Sequence, residues 1–179
     1  KQRLKAEAKV IIAMHYCDLF RHYGGVPIVD HAYTANEDMQ KERGTVQETL
    51  DFIVNLLDEA ADVLPWAMSA AENREWEGRL TKASAMGLKA RILLFAASPL
   101  FNGNEDFRDV VNKDGTPLFS QSKDNSKWER AAKAAKLVID MPEYDLYKEY
   151  LDDGSIDALM SCINLFLTTP TNNKEIILA

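Results

Sequence analysis

The chain has 179 residues, 46% of them hydrophobic and 27% charged, with a formal net charge of −7. That length supports one domain with a real core, or part of a larger one. An acidic surface repels phosphate backbones, and no arginine-rich run or aromatic RNA-binding motif offsets it, so nucleic acid is not an expected partner.

Two cysteines, Cys17 and Cys162, do not make a disulfide framework. Cys17 falls within an apolar helical pattern, where a free thiol acts as a small buried hydrophobe. The chain starts inside a helical pattern at Lys1–Ala8 and stops inside an apolar, extended-looking run at Ile176–Ala179, which reads as a piece of a longer protein. No apolar stretch reaches the roughly 20 residues that span a bilayer.

The first helix is predicted over about Leu4 to Tyr23. Leu4, Ala8, Ile11, His15, Leu19 and His22 recur at helical spacing, and Ile12, Tyr16 and Phe20 widen the stripe. Val10, Met14 and Cys17 place apolar groups on other sides, so the helix is expected between neighbours rather than on a surface. Gly24-Gly25 ends it, and Val26-Pro27-Ile28-Val29 reads as a short extended run.

Thr45-Val46-Gln47-Glu48 is a capping box that opens a second helix. Val46, Leu50, Ile53, Leu57, Ala60 and Leu64 form its apolar face, Asp51, Asn55, Asp58, Glu59 and Asp62 its solvated side, and Pro65 marks its end. A loop from Trp66 to Arg79 carries two tryptophans. The third helix is expected from near Thr81 to about Ala97, with Ala83, Met86, Gly87, Ala90, Leu94 and Ala97 allowing close approach by a neighbour.

A long polar loop from about Leu100 to Asn125 follows; loops of that length are usually functional or mobile. Ser126-Lys127-Trp128-Glu129 reads as a second capping box. The helix it opens has Trp128, Ala131, Ala132, Ala135, Val138 and Ile139 inward and stops near Pro142. Beyond Tyr144 the pattern supports one short helix around Ile156 to Leu167 and an extended end. The expected fold is all-α: stacked helical hairpins of tetratricopeptide-like type with long connecting loops, Ala90 and Ala131-Ala132 lying at the close contacts.

The search for chemistry finds little. His15, Asp18 and His22 share a helix face but lack the His-Glu-x-x-His spacing of a zinc site, and two core histidines are the plainer reading. Asn112-Lys113-Asp114-Gly115 resembles the middle of a calcium loop, yet Val110 and Gln121 stand where an EF-hand needs carboxylates. Asn102, Asn104, Glu105 and Asp106 read as a solvated turn. No phosphate-cradling glycine loop, nucleophile elbow or distinguished carboxylate pair occurs, so neither an enzyme nor a cofactor is expected.

Trp66 and Trp76 are the candidate binding residues. An indole can stack on the C–H face of a sugar ring, while Asn73, Glu75 and Arg79 bond its hydroxyls. The competing reading is that both tryptophans fold back over helix ends.

Several segments together resemble the SusD/RagB family of outer-membrane nutrient-binding lipoproteins. They are Ala6–Lys9 through Tyr23-Gly24-Gly25-Val26-Pro27-Ile28-Val29, Leu57–Ala61 through Leu64-Pro65, and Gly78–Lys82 with Ala90–Leu94. Ala97-Ser98-Pro99-Leu100-Phe101-Asn102-Gly103, Lys113–Leu118, Trp128–Ala132 and Asn173–Ile177 complete the order. The resemblance implies that residues 1–179 are the central helical part of a longer protein, lacking its lipidated N-terminus and C-terminal lobe. It also implies a lipid-anchored protein facing outward from the outer membrane, which captures oligosaccharides and passes them to a SusC-like TonB-dependent transporter without cleaving them. A protein- or peptide-binding tetratricopeptide scaffold is the alternative.

Overall fold

The computed structural model describes residues 1–67, 78–169 and 173–178. Its backbone is α1 (Gln2–Tyr23), α2 (Val46–Ala61), α3 (Lys82–Ala97), α4 (Ser126–Ile139) and a short α5 (Ala158–Leu165). Before α5, β1 (Glu149–Tyr150) and β2 (Ile156–Asp157) pair antiparallel, a small hairpin that the periodicity did not predict. α1 packs on α2, α2 on α3 and α3 on α4, with a lighter contact between α1 and α3. The all-α stack of hairpins is thus the architecture expected from the pattern.

α2 forms as its sequence dictates. Thr45 Oγ1 accepts the Glu48 N–H at 3.1 Å, and Glu48 Oε2 accepts the Thr45 N–H at 2.7 Å, closing the capping box. Val46, Leu50, Ile53, Leu57, Ala60 and Leu64 are all buried. Its acidic side does more than meet water. Glu59 pairs with Lys9 of α1, Asp58 with Lys89 of α3 (2.6 Å) and Asp51 with Arg130 of α4 (3.7 Å).

α1 corrects the expectation. The stripe from Leu4 through Ile11, His15 and Leu19 to His22 faces outward, and the buried face is Ala6, Val10, Ala13, Tyr16, Cys17 and Phe20. A helix that is apolar all round has no single face written in its sequence. The buried face puts the small Ala6 and Ala13 beside Val10, Tyr16 and Phe20, and it is the packing of α1 on its neighbours that selects it. His15 and His22 are therefore exposed, not core residues.

The turn after α1 is built by glycines and one arginine. Gly24 sits at φ 72°, a conformation that disfavours a Cβ, and its N–H closes on Phe20 O at 2.8 Å. At Gly25 a Cβ would meet Gly44 O at 2.0 Å, so only glycine lets the two segments touch. Arg43 donates to the carbonyls of Gly25 (2.9 Å) and Tyr23 (2.5 Å), covering the exposed end of α1. The extended run is fastened by the Tyr16 hydroxyl, which accepts the Val29 N–H at 2.8 Å.

The 98–125 connection is docked rather than loose. Phe101 stacks on Phe20 at 4.9 Å, meets Phe95 at 5.1 Å and Phe119 at 5.9 Å, and Phe119 stacks on Phe107 at 4.6 Å. Asn102, also buried, ties the ends of the loop together: its amide donates to Ala97 O (3.3 Å) and Asp124 O (2.8 Å) and accepts the Asp124 N–H (2.8 Å). Between them, Val110 to Leu118 folds into a small hairpin with Gly115 in its turn, where Asp114 accepts from the Thr116 backbone and hydroxyl.

α4 departs from expectation at both ends. Ser126 is its first residue, not its cap: the Ser126 N–H goes to Asp124 Oδ1 at 2.9 Å, and Glu129 pairs with Lys133 instead of closing a box. The inward face is Ala131, Ala134 and Val138, which leaves Trp128 41% exposed and Ile139 outside. At α3, by contrast, Thr81 and Ser84 form a reciprocal cap (2.9 and 3.2 Å) that the sequence reading did not name.

Candidate functional site

The predicted site residues flank or occupy 68–77. Asn73, Glu75 and Trp76 lie outside the described residues; Trp66 and Arg79 stand on either side of them. The backbone of Pro65 and Trp66 is tied to the start of α3 and to Tyr144. Lys82 N donates to Pro65 O at 2.7 Å, Ala83 N to Trp66 O at 3.4 Å, and the Tyr144 hydroxyl to the same Trp66 carbonyl at 3.4 Å. Burial pushes the Tyr144 phenol up, opposed by its hydrogen bond with Thr81.

Trp66 is half-buried against the cluster formed by Ala61 of α2, Met86 of α3 and Val138 of α4, on which Ile177 also packs. Lys82 Nζ lies 5.1 Å from its ring centroid. Such a ring covers a junction of three helices, and one face already carries a cation. Arg79 points the other way, to α1. Its guanidinium forks onto Glu7, Nε to Oε1 at 2.9 Å and a second nitrogen to Oε2, while Arg3 adds a 3.3 Å contact to Oε1. Glu7 is only 8% exposed, so the two arginines together satisfy a carboxylate that would be costly to bury unpaired. The structure thus gives Trp66 and Arg79 separate packing partners beside the segment that bears Trp76.

Two further clefts were not foreseen. One, of 560 Å³, runs between α1 and α3, with Met14, Arg21, Arg91, Phe95 and Trp128 among its walls. Trp128 was expected inside. Counting back from Ala131 and Val138 places it at the edge of the inward face, the signal that its aromatic character obscured. The other, of 650 Å³, opens at the starts of α2 and α4, lined by Gln47, Phe119, Ser122, Lys123, Asn125 and Lys127. Among the described residues, no group of three or more His, Cys, Asp or Glu could hold a metal ion. No helix among them is long and apolar enough to cross a membrane.

The model of a SusD-like family, described as starch-binding and associating with the outer membrane, matches residues 1–94. Among solved structures, a protein named BT4246 superposes with a TM-score of 0.82 at 29% identity, over 99% of this chain and 34% of its own. A SusD-like protein of Bacteroides fragilis NCTC 9343, BF3747, gives 0.69 at 25% identity over 99% of this chain and 27% of its own. A SusD homolog of Bacteroides thetaiotaomicron VPI-5482 gives 0.62 at 25% identity over 83% of this chain and 24% of its own. The chain spans 34% or less of the length of these structures. No curated protein matches it.

Proposed function

Because this chain belongs to the SusD-like family of starch-binding proteins that associate with the outer membrane, we propose that the whole protein captures an oligosaccharide at the cell surface without cleaving it. The residues described here are the helical scaffold of that capture. A lipid anchor outside residues 1–179 holds the protein on the outer face of the outer membrane, and a SusC-like TonB-dependent transporter receives the ligand. The observation that carries this reading is the family match over residues 1–94.

Within the scaffold, the 68–77 segment is the part of the chain best suited to meet a sugar. It carries Trp76 for stacking and Asn73 for hydrogen bonding to hydroxyls, and the residues on either side of it are braced. Trp66 and Arg79 flank the segment in sequence, and both are held by contacts with the helices. Binding residues are commonly carried by segments that a rigid scaffold positions.

A screen of the full-length protein against a glycan array, with tryptophan fluorescence recorded on each hit, tests the reading. Binding with a changed emission supports an aromatic platform; a blank array contradicts sugar capture. The second reading, a scaffold for a protein or peptide, draws on the exposed apolar row of α1, Leu4, Ile11, Ile12 and Leu19. It predicts that the full-length protein retains a polypeptide partner in a pull-down when no glycan binds.

A further inference from the structure

His31 lies between α1 and α2, and both of its ring nitrogens face carboxylates. Nδ1 is 2.8 Å from Asp30 Oδ1, and Nε2 is 2.6 Å from Glu37 Oε1. A neutral imidazole carries one N–H and can donate to only one of them. Both contacts are hydrogen bonds only when the ring is an imidazolium, which then bridges residues 30 and 37.

The surrounding contacts make this bridge the centre of a small folded unit. Glu37 Oε2 accepts the Thr34 N–H at 3.1 Å, closing the turn inside the bridge. Lys41 Nζ lies 3.7 Å from Asp30 Oδ1 and donates to Ile28 O at 3.3 Å. The Tyr33 ring sits 5.3 Å from the imidazole and 5.5 Å from Lys41 Nζ. The charged groups facing His31 are therefore Asp30, Glu37 and Lys41, all from this one segment. Its far end, Gln40 to Arg43, forms one wall of a 400 Å³ cleft whose other wall is Asn112 and Lys113 of the 110–118 hairpin. The two walls are joined where Asn112 Nδ2 donates to Arg43 O at 2.8 Å.

We propose that His31 is a proton-operated latch: as an imidazolium it ties Asp30 to Glu37 and orders the segment that runs on through Lys41 to the cleft wall, and loss of the proton releases one tie and loosens that segment. The electrostatics run the same way. Glu37 first, then Asp30, raise His31 above the ordinary 6.5, while His31 holds both carboxylates below their usual range. A group whose value is raised by ordering contributes fully below its ordinary value and is lost as pH rises through the raised one. The latch is closed on the acidic side and opens with rising pH.

The test is an NMR titration of His31 in the full-length protein, with amide exchange of residues 28–43 measured at each pH and corrected for base catalysis. The expected result is a His31 midpoint above 6.5, lowered by Glu37→Gln and by Asp30→Asn, the former more. Corrected exchange should quicken through the midpoint in the wild type and stay level in His31→Asn. A midpoint at or below the ordinary value, no response to Glu37→Gln, or resonances of Gln40 to Arg43 unmoved through the titration would each overturn the latch. Far-UV circular dichroism of each variant separates a lost latch from a lost fold.

Discussion

Phe101→Ala tests whether the long connection after α3 is part of the core. Phe101 is 4% exposed and lies between Phe20, Phe95 and Phe119, at 4.9, 5.1 and 5.9 Å. Removing a buried phenylalanine ring costs about 3–5 kcal/mol, since its burial and the cavity left behind both count. The lost ring pairs account for roughly 0.5–1.5 kcal/mol of that. Phe20 and Phe95 belong to α1 and α3 while Phe119 belongs to the loop, so the loss falls on the docking of the loop against the helices. Hydrogen exchange reads it locally: the amides of residues 98–125 should exchange faster by about two to four powers of ten, at 1.4 kcal/mol per tenfold. Phe101→Leu, which keeps most of the volume, should cost less than about 1.5 kcal/mol. Val111→Ala in the same loop, where the side chain is half exposed, should stay within about 0.5 kcal/mol. If Phe101→Ala behaved like Val111→Ala, the loop would not be docked and the aromatic spine would be wrong.

Arg79→Ala should destabilise the protein by about 3 kcal/mol in thermal or urea unfolding, because buried Glu7 would lose its two-point partner and keep the single contact from Arg3 among the described residues; Arg79→Lys, which loses the fork, should recover part of it. Thr45→Ala should cost about 1 kcal/mol at neutral pH. Hydrogen bonds from the Thr45 backbone and side chain hold Glu48 below the usual 4.5, so the cap's contribution is present above that value and fades as pH falls through the lowered one. The gap between wild type and Thr45→Ala should therefore narrow in acid, which unfolding curves at several pH values would show. Burial pushes the Cys17 thiol up to about 12, so a thiol reagent at mildly alkaline pH should label exposed Cys162 promptly and Cys17 only on unfolding. Prompt labelling of both would contradict the packing of α1 on α2.

The legible parts of the fold were those where local signals agreed with one another. In α2 the capping box, the single apolar stripe and Pro65 all point to the same element, and its buried face is the predicted one. α1 shows the opposite case. Its apolar residues surround the helix, so periodicity located the element but tertiary contacts selected Val10, Ala13 and Phe20 over Ile11, His15 and Leu19. The Ser126 box failed because Asp124 reaches the helix start first, a competition that a four-residue motif does not record. The Asp30–His31–Glu37 bridge was missed since its members are spaced by a turn rather than by a helix or strand period. Of the candidate site, Asn73 and Trp76 fall outside the described residues, and the partners of Trp66 and Arg79, drawn from α1, α2, α3 and α4, are long-range contacts that no local pattern encodes.

The central claim is sugar capture, and calorimetry on the full-length protein tests it most directly. Titrating starch-type oligosaccharides, and any other array hit, should give saturable heat with the wild type and affinity about tenfold weaker or worse with Trp76→Ala, a loss of roughly 1.4 kcal/mol, while circular dichroism stays unchanged. An affinity unaltered in Trp76→Ala would remove that residue from the site. The absence of saturable heat with every oligosaccharide would contradict the account itself.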